Sequence, residues 1–209
     1  MAISYPLSLP TGIGIAQIEL RVTNSVAISR SPFTFAQQVH AYAGQSWQAD
    51  VTLPPIQRDL AEEWLAWLIS LKGQVGTFYL GDPNAKTPRG SARNSDTIDI
   101  NGTQSSGNTI AIDSAPINRT GYLKAGDYIH VNNGTTRQLF KVLKDANTNA
   151  SGQATLDVWP DVRVSLGNNA TVTVENTQGL FRLASNEQSF SINEASTYGI
   201  SFSAIEAIT

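Results

Sequence analysis

The sequence predicts a mainly β fold with one amphipathic helix, and three observations carry that reading. Only 15% of the 209 residues are charged, against about 25% in an average soluble domain. Ser, Thr, Asn and Gln therefore supply much of the polar surface, and these residues suit pleated sheet and its turns better than helix. Apolar and polar residues alternate with a period of two in two early stretches, which gives a strand one dry and one wet face. A period of 3.6 stands out once.

Taken in chain order, Ile18, Leu20 and Val22 alternate with Gln17, Glu19 and Arg21, predicting a strand over 16–22. The stretch from Ser31 to His40 is expected to be extended, and Trp47, Ala49, Val51 and Leu53 repeat the alternation against Gln48, Asp50 and Thr52. After Pro54-Pro55, Leu60, Trp64, Trp67, Leu68 and Leu71 lie on one helical face, predicting a helix over 56–72. Proline in the first turn, Asp59, Glu62 and Glu63 toward the positive end, Lys72 at the negative end and Gly73 as a left-handed cap agree with that placement. Trp64 and Trp67 read as packing against a sheet, with an aromatic ligand platform as the alternative.

A short aromatic strand, Phe78-Tyr79-Leu80, follows and closes on a Gly81-Asp82-Pro83 turn. From Ser91 to Glu175 no helical period occurs. Six short runs (97–100, 109–112, 128–131, 138–143, 155–158 and 171–174), divided by Asn-, Gly- and Ser-rich turns, predict a small barrel or sandwich. Strand patterns resume at 181–183, 190–192 and 198–202, and these need a sheet to join. The simplest arrangement makes residues 1–90 and 176–209 one discontinuous β domain and 91–175 an insertion into an exposed loop.

Several function classes find little support. The net charge is −3 and neither part of the chain carries an excess of Lys and Arg, so nucleic acid is not the expected partner. Without cysteine there is no disulfide and no thiolate for metal or nucleophile. Met1-Ala2-Ile3-Ser4-Tyr5-Pro6 lacks the pattern of a signal peptide and no run of about 18 apolar residues occurs, so the expectation is a protein made in the cytoplasm without membrane insertion. The Asn-x-Thr triplets at Asn101, Asn118 and Asn133 then read as polar turns.

Paired carboxylates could serve a hydrolase, with Asp96, Asp99, Asp113, Asp127, Asp157 and Asp161 as candidates, but no spacing places two of them across a substrate. Most adjoin turns, where Asp bonds to local backbone. A serine nucleophile would need His40 or His130, and neither has a partner pattern. Thr11-Gly12-Ile13-Gly14-Ile15 lacks the third glycine, the lysine and the following helix of a phosphate loop. No catalytic, metal or cofactor-binding residue is assigned, and no cofactor is expected.

The order of pieces carries more than any motif. Strands, the Trp-rich helix, Gly76-Thr77-Phe78-Tyr79-Leu80-Gly81-Asp82-Pro83, a β insertion and a closing stretch from Tyr198 to Ala207 follow one another. Within the insertion, Leu123 to Ile129, Gln138 to Val142, Gly152 to Leu156 and Trp159 to Arg163 resemble small β-barrel modules of phage structural proteins. The whole resembles the distal tail protein family of tailed bacteriophages. The resemblance implies a β-sandwich-like ring domain with an inserted peripheral barrel, OB-like or galectin-like. It also implies a ring, expected to be a hexamer, that joins the tail tube protein to the tail-tip hub protein in the virion tail. Phe78, Tyr79 and Leu80 are interface candidates that could equally be core. The alternative is a carbohydrate-binding module that attaches to a host glycan, with Trp159 as the contact; a receptor-binding protein is a further possible partner of the inserted part.

Overall fold

The computed structural model describes residues 3–133, 136–194 and 196–208, so Met1-Ala2 and the Gly134-Thr135 part of the third Asn-x-Thr triplet lie outside the described residues. The fold is mainly β with one helix. Its elements are β1 (Gln17–Arg30), β2 (Gln37–Thr52), β3 (Ile56–Gln57), α1 (Arg58–Ser70), β4 (Phe78–Leu80), β5 (Asp99–Ile100) and β6 (Thr109–Asp113). There follow β7 (Tyr128–Asn133), β8 (Thr136–Val142), β9 (Ala154–Trp159), β10 (Val172–Thr173), β11 (Gly179–Leu183), β12 (Phe190–Ile192) and β13 (Thr197–Glu206). They form two sheets.

The first sheet runs β1-β2-β13-β11-β4, and the early part of β13 pairs instead with β12 and β3. On one face Trp47, Ala49, Val51, Phe202, Ala204, Phe78, Leu80 and Phe181 are buried in one cluster with the apolar side of α1. Trp64 lies against Phe202, and Trp67 meets Phe78 edge to face at 5.0 Å. Both tryptophans therefore pack the core. The far edge, β4, is closed by the N-terminal segment: Leu7 donates its N–H to Thr77 (2.8 Å) and accepts that of Tyr79 (3.1 Å).

The helix is shorter than the 3.6 period predicts. Ile56 and Gln57 pair with Tyr198 and Thr197 of β13, so sheet hydrogen bonding claims the residues that would have been the first turn, and Pro54-Pro55 stand outside it. At the other end Lys72 (φ 52°) and Gly73 (φ 67°) turn left-handed. Leu60, expected on the apolar face, is exposed; Ala61, Trp64, Leu65, Trp67 and Leu68 make that face.

The second sheet takes the order β10-β7-β8-β9-β6-β5, and each of the six short strands expected between 91 and 175 is present. A bridge between Asp99 and Thr171, with Val172 N–H donating to Ile98 O (2.8 Å), brings β5 back to β10 and rounds the sheet toward a small barrel. Its interior is a separate apolar cluster of Ile98, Ile100, Ile110, Ile112, Ile129, Val131, Phe140, Val142, Leu156 and Val158. The chain leaves the first sheet at Leu80 and re-enters it at Gly179, which is the residue paired with Leu80.

Gly81 lies at that crossing. A Cβ there would stand 2.0 Å from the backbone oxygen of Thr177, and backbone cannot yield as a flexible side chain can. Gly81→Ala is expected to cost about 1–3 kcal/mol, read as a lower urea midpoint with an unchanged slope; a midpoint equal to wild type would contradict this packing.

Candidate functional site

The first two strands continue well beyond the sheet they start in. β13 pairs with β2 only over Gln48–Thr52, whereas β1 and β2 stay paired out to Arg30 and Gln37, with an irregularity between Asn24 and Val26. A two-stranded arm of roughly 27 Å from Val22 to Arg30 follows from a rise of about 3.3 Å per residue. Its tip is a turn over 31–36, where Ser31 N–H donates to Ala36 O (2.9 Å), Phe35 N–H donates to Ser31 O (3.0 Å) and Phe35 is left-handed (φ 58°). The extended stretch expected from Ser31 to His40 is thus half turn, half strand.

Register decides what each face of the arm presents. Residues directly opposite in an antiparallel pair share a face, so Val26 with Ala41 and Ile28 with Val39 form one face, while Ala27 with His40 and Ser29 with Gln38 form the other. The first face continues the alternation of Ile18, Leu20 and Val22, whose partners Val51, Ala49 and Trp47 lie in the core. Past Trp47 that core ends; the polar pair Asn24 and Gln45 interrupts the apolar pattern, which resumes at Val26 and Ala41. Ile28 is 63% exposed, Val39 59% and, at the tip, Phe33 93%. The opposite face is polar, with His40 and Tyr42 in edge contact at 4.6 Å.

Two properties make this arm unlike the rest of the surface. Beyond Asn24 and Gln45, which meet Trp159 and Asp161 of the barrel, its apolar face stands exposed among the described residues, and exposed contiguous apolar surface marks interaction sites. Among the described residues, moreover, the outward edge of β1 and that of β2 from Gln37 to Gly44 have no strand beside them. A long open edge is a template for pairing with another chain. A smaller apolar patch lies on β12, where Phe190 and Ile192 are exposed and Phe190 stacks on Tyr198.

The residues singled out by sequence fall elsewhere. Phe78 and Leu80 are fully buried, because β4 is flanked by β11 and the Leu7 segment and covered by α1; they serve the chain's own core. Tyr79 lies beneath the Arg137 guanidinium, 3.9 Å from its ring centre. Trp159 meets Trp47 edge to face at 4.6 Å and donates its indole N–H to Asn24 Oδ1 (2.8 Å), which fixes it in the joint between barrel and sheet.

Three of the aspartates, Asp96, Asp127 and Asp157, are held by partners of the fold. Asp96 accepts from the Tyr122 hydroxyl (3.0 Å), and burial together with that bond holds the Tyr122 phenol well above its ordinary pKa. Asp127 accepts three backbone N–H groups, Asp157 pairs with Lys144 at 3.2 Å, and Asp99 stands opposite Asp113 across β5 and β6. His40 is on the exposed arm and His130 is buried in the joint, so the two imidazoles are not brought together. Among the described residues no three His, Asp or Glu side chains gather as a metal group, and no helix is long and apolar enough to cross a membrane.

The arm was missed because Asn24-Ser25 interrupts the alternation. A usable signal was the mirrored pattern of Val26, Ile28 and Val39, Ala41 about the Ser31-Pro32 turn. A scan of protein-family models finds none that matches the chain, and a search of curated proteins finds no match either.

Proposed function

We propose that this chain is a structural subunit that works by assembling with copies of itself, using the hairpin arm as its principal contact. The observation that carries this reading is the apolar face of Val26, Ile28, Val39 and Ala41, which extends the strand pattern beyond the end of the chain's own core. An isolated two-stranded ribbon is marginal in water, and a neighbour would supply the missing cover. The two edges of the arm belong to different strands, so one copy's β1 edge meeting the next copy's β2 edge is a heterologous contact. Such contacts generate rings where the rotation closes.

The order of segments favours a particular ring: the adaptor at the distal end of a phage tail, between tube and hub, with the barrel outward. Its experiment is light scattering across a concentration series with negative-stain imaging of assembled fractions, with tube and hub proteins added where the chain alone stays monomeric. Closed rings are expected from wild type. The Ile28→Asp/Val39→Asp variant should keep its far-ultraviolet spectrum and lose assembly. Assembly by the variant equal to wild type would sink the role of the arm, and a wild-type monomer that also ignores tube and hub would sink the ring.

A further inference from the structure

Along β7, Ile129 and Val131 point into the barrel interior, whereas Tyr128 and His130 alternate with them and point the other way, toward the first sheet. Tyr128 reaches Trp47 there. His130 is 4% exposed, and its Nδ1 accepts the backbone N–H of Gln178 at 3.3 Å. Gln178 is the last residue before β11, so this bond ties the barrel to the strand that carries the chain back into the first sheet.

The surroundings of His130 suit only a neutral ring. Leu139 on β8 and Thr173 on β10 stand opposite it. Among the described residues the charged group acting on it is Arg137, from β8, whose guanidinium also holds Gln178 Oε1 (2.8 Å), Asn132 Oδ1 (3.0 Å) and the face of Tyr79. Protonation would set an N–H on Nδ1 against the Gln178 N–H and add a buried positive charge beside Arg137.

We propose that His130 makes the joint between barrel and sheet acid-labile, so that protonation parts β7 from the Gln178–Gly179 re-entry while both hydrophobic clusters stay folded. Burial, with Arg137 second, pushes the imidazole down from 6.5 to about 3 in the closed joint. The closed form therefore binds fewer protons than an open one whose ring titrates normally, and closure is fully favoured above about pH 6.5. It weakens as pH falls from 6.5 toward 3, by about tenfold in the opening equilibrium per pH unit.

Hydrogen exchange of the full-length protein between pH 6.5 and 4.5, corrected for intrinsic chemistry, tests this. Protection over 177–183 is expected to fall about tenfold per pH unit in wild type and to stay flat in His130→Asn, which keeps an acceptor and cannot titrate. Peptides of α1 and of β6 should keep their protection in both. Equal slopes in wild type and variant, or parallel loss over the whole chain, would overturn the proposal. Should His130→Asn fail to fold, His130→Gln takes its place. The wild-type ring followed by NMR gives a separate reading: titration near 6.5 without loss of protection at 177–183 would also overturn it.

Discussion

Replacing Arg163 with alanine is expected to cost about 3–5 kcal/mol of folding stability, because it strands a buried carboxylate. Arg163 comes from the barrel and Glu206 from the end of β13, and their side chains are 12% and 4% exposed. The guanidinium engages both carboxylate oxygens, with Nη1 to Oε2 at 2.9 Å, and Nη1 also donates to Gln45 O at 2.7 Å. Glu206 Oε2 accepts the Trp47 N–H as well (3.0 Å). Removing the cation leaves Glu206 with one backbone donor and, among the described residues, without an ion-pair partner in a buried joint.

The matching double variant decides how much of that cost belongs to the pair. Arg163→Met with Glu206→Leu removes both charges, and buried pairs exchanged for apolar residues of similar volume are often neutral or more stable by about 1–4 kcal/mol. The single variant should therefore be much the weaker of the two in urea unfolding. A single-variant loss below about 1 kcal/mol, the range of exposed pairs, would show that water reaches the joint.

Asp127→Ala should have an effect of similar size. The carboxylate is buried and accepts Arg89 N–H (2.7 Å), Gly90 N–H (3.1 Å) and Lys124 N–H (2.8 Å), so it clasps the segment entering the barrel to the Gly126 turn before β7. Bonds to a charged acceptor contribute about 1.5–3 kcal/mol each and do not add fully, and alanine leaves three donors without it. A loss of about 3–5 kcal/mol is expected. Asp127→Asn should fall between, since an amide oxygen in place of Oδ2 can keep Gly90 and Lys124 while its NH2 faces Arg89. Equal thermal midpoints for Asp, Asn and Ala at this position would refute the clasp.

Sequence periodicity located the strands because burial and alternation coincide over most of the chain: each short run in 91–175 sends apolar residues into the barrel interior, although Tyr128 and Leu139 join the first sheet's cluster and Leu143 is exposed. Where another force overrides local pattern, boundaries moved. Pairing with β13 took Ile56 and Gln57 from the helix, and the pairing of β1 with β2 carried both strands past the core they help to build. Phe78 and Leu80 show the limit at the site level. An apolar strand reads the same whether it faces a neighbour or its own helix, and only the placement of α1 and Leu7 separates the two. His130 was visible as an imidazole between Ile129 and Val131, but the donor it accepts from lies 48 positions away, beyond any local pattern.

The pairing of Leu80 with Gly179 has a mechanical side. The two covalent links to the barrel sit one strand spacing apart, about 5 Å, and two tethers so close together resist pulling far better than they resist twisting. Torque applied to the barrel is therefore borne by side chains: Trp159 on Trp47 and Asn24, Asp161 N–H on Gln45 Oε1, and Arg163 on Gln45 and Glu206. Together with Tyr128 and Leu139, which the barrel sends into the first sheet's cluster, these contacts hold the barrel against rotation about its two links.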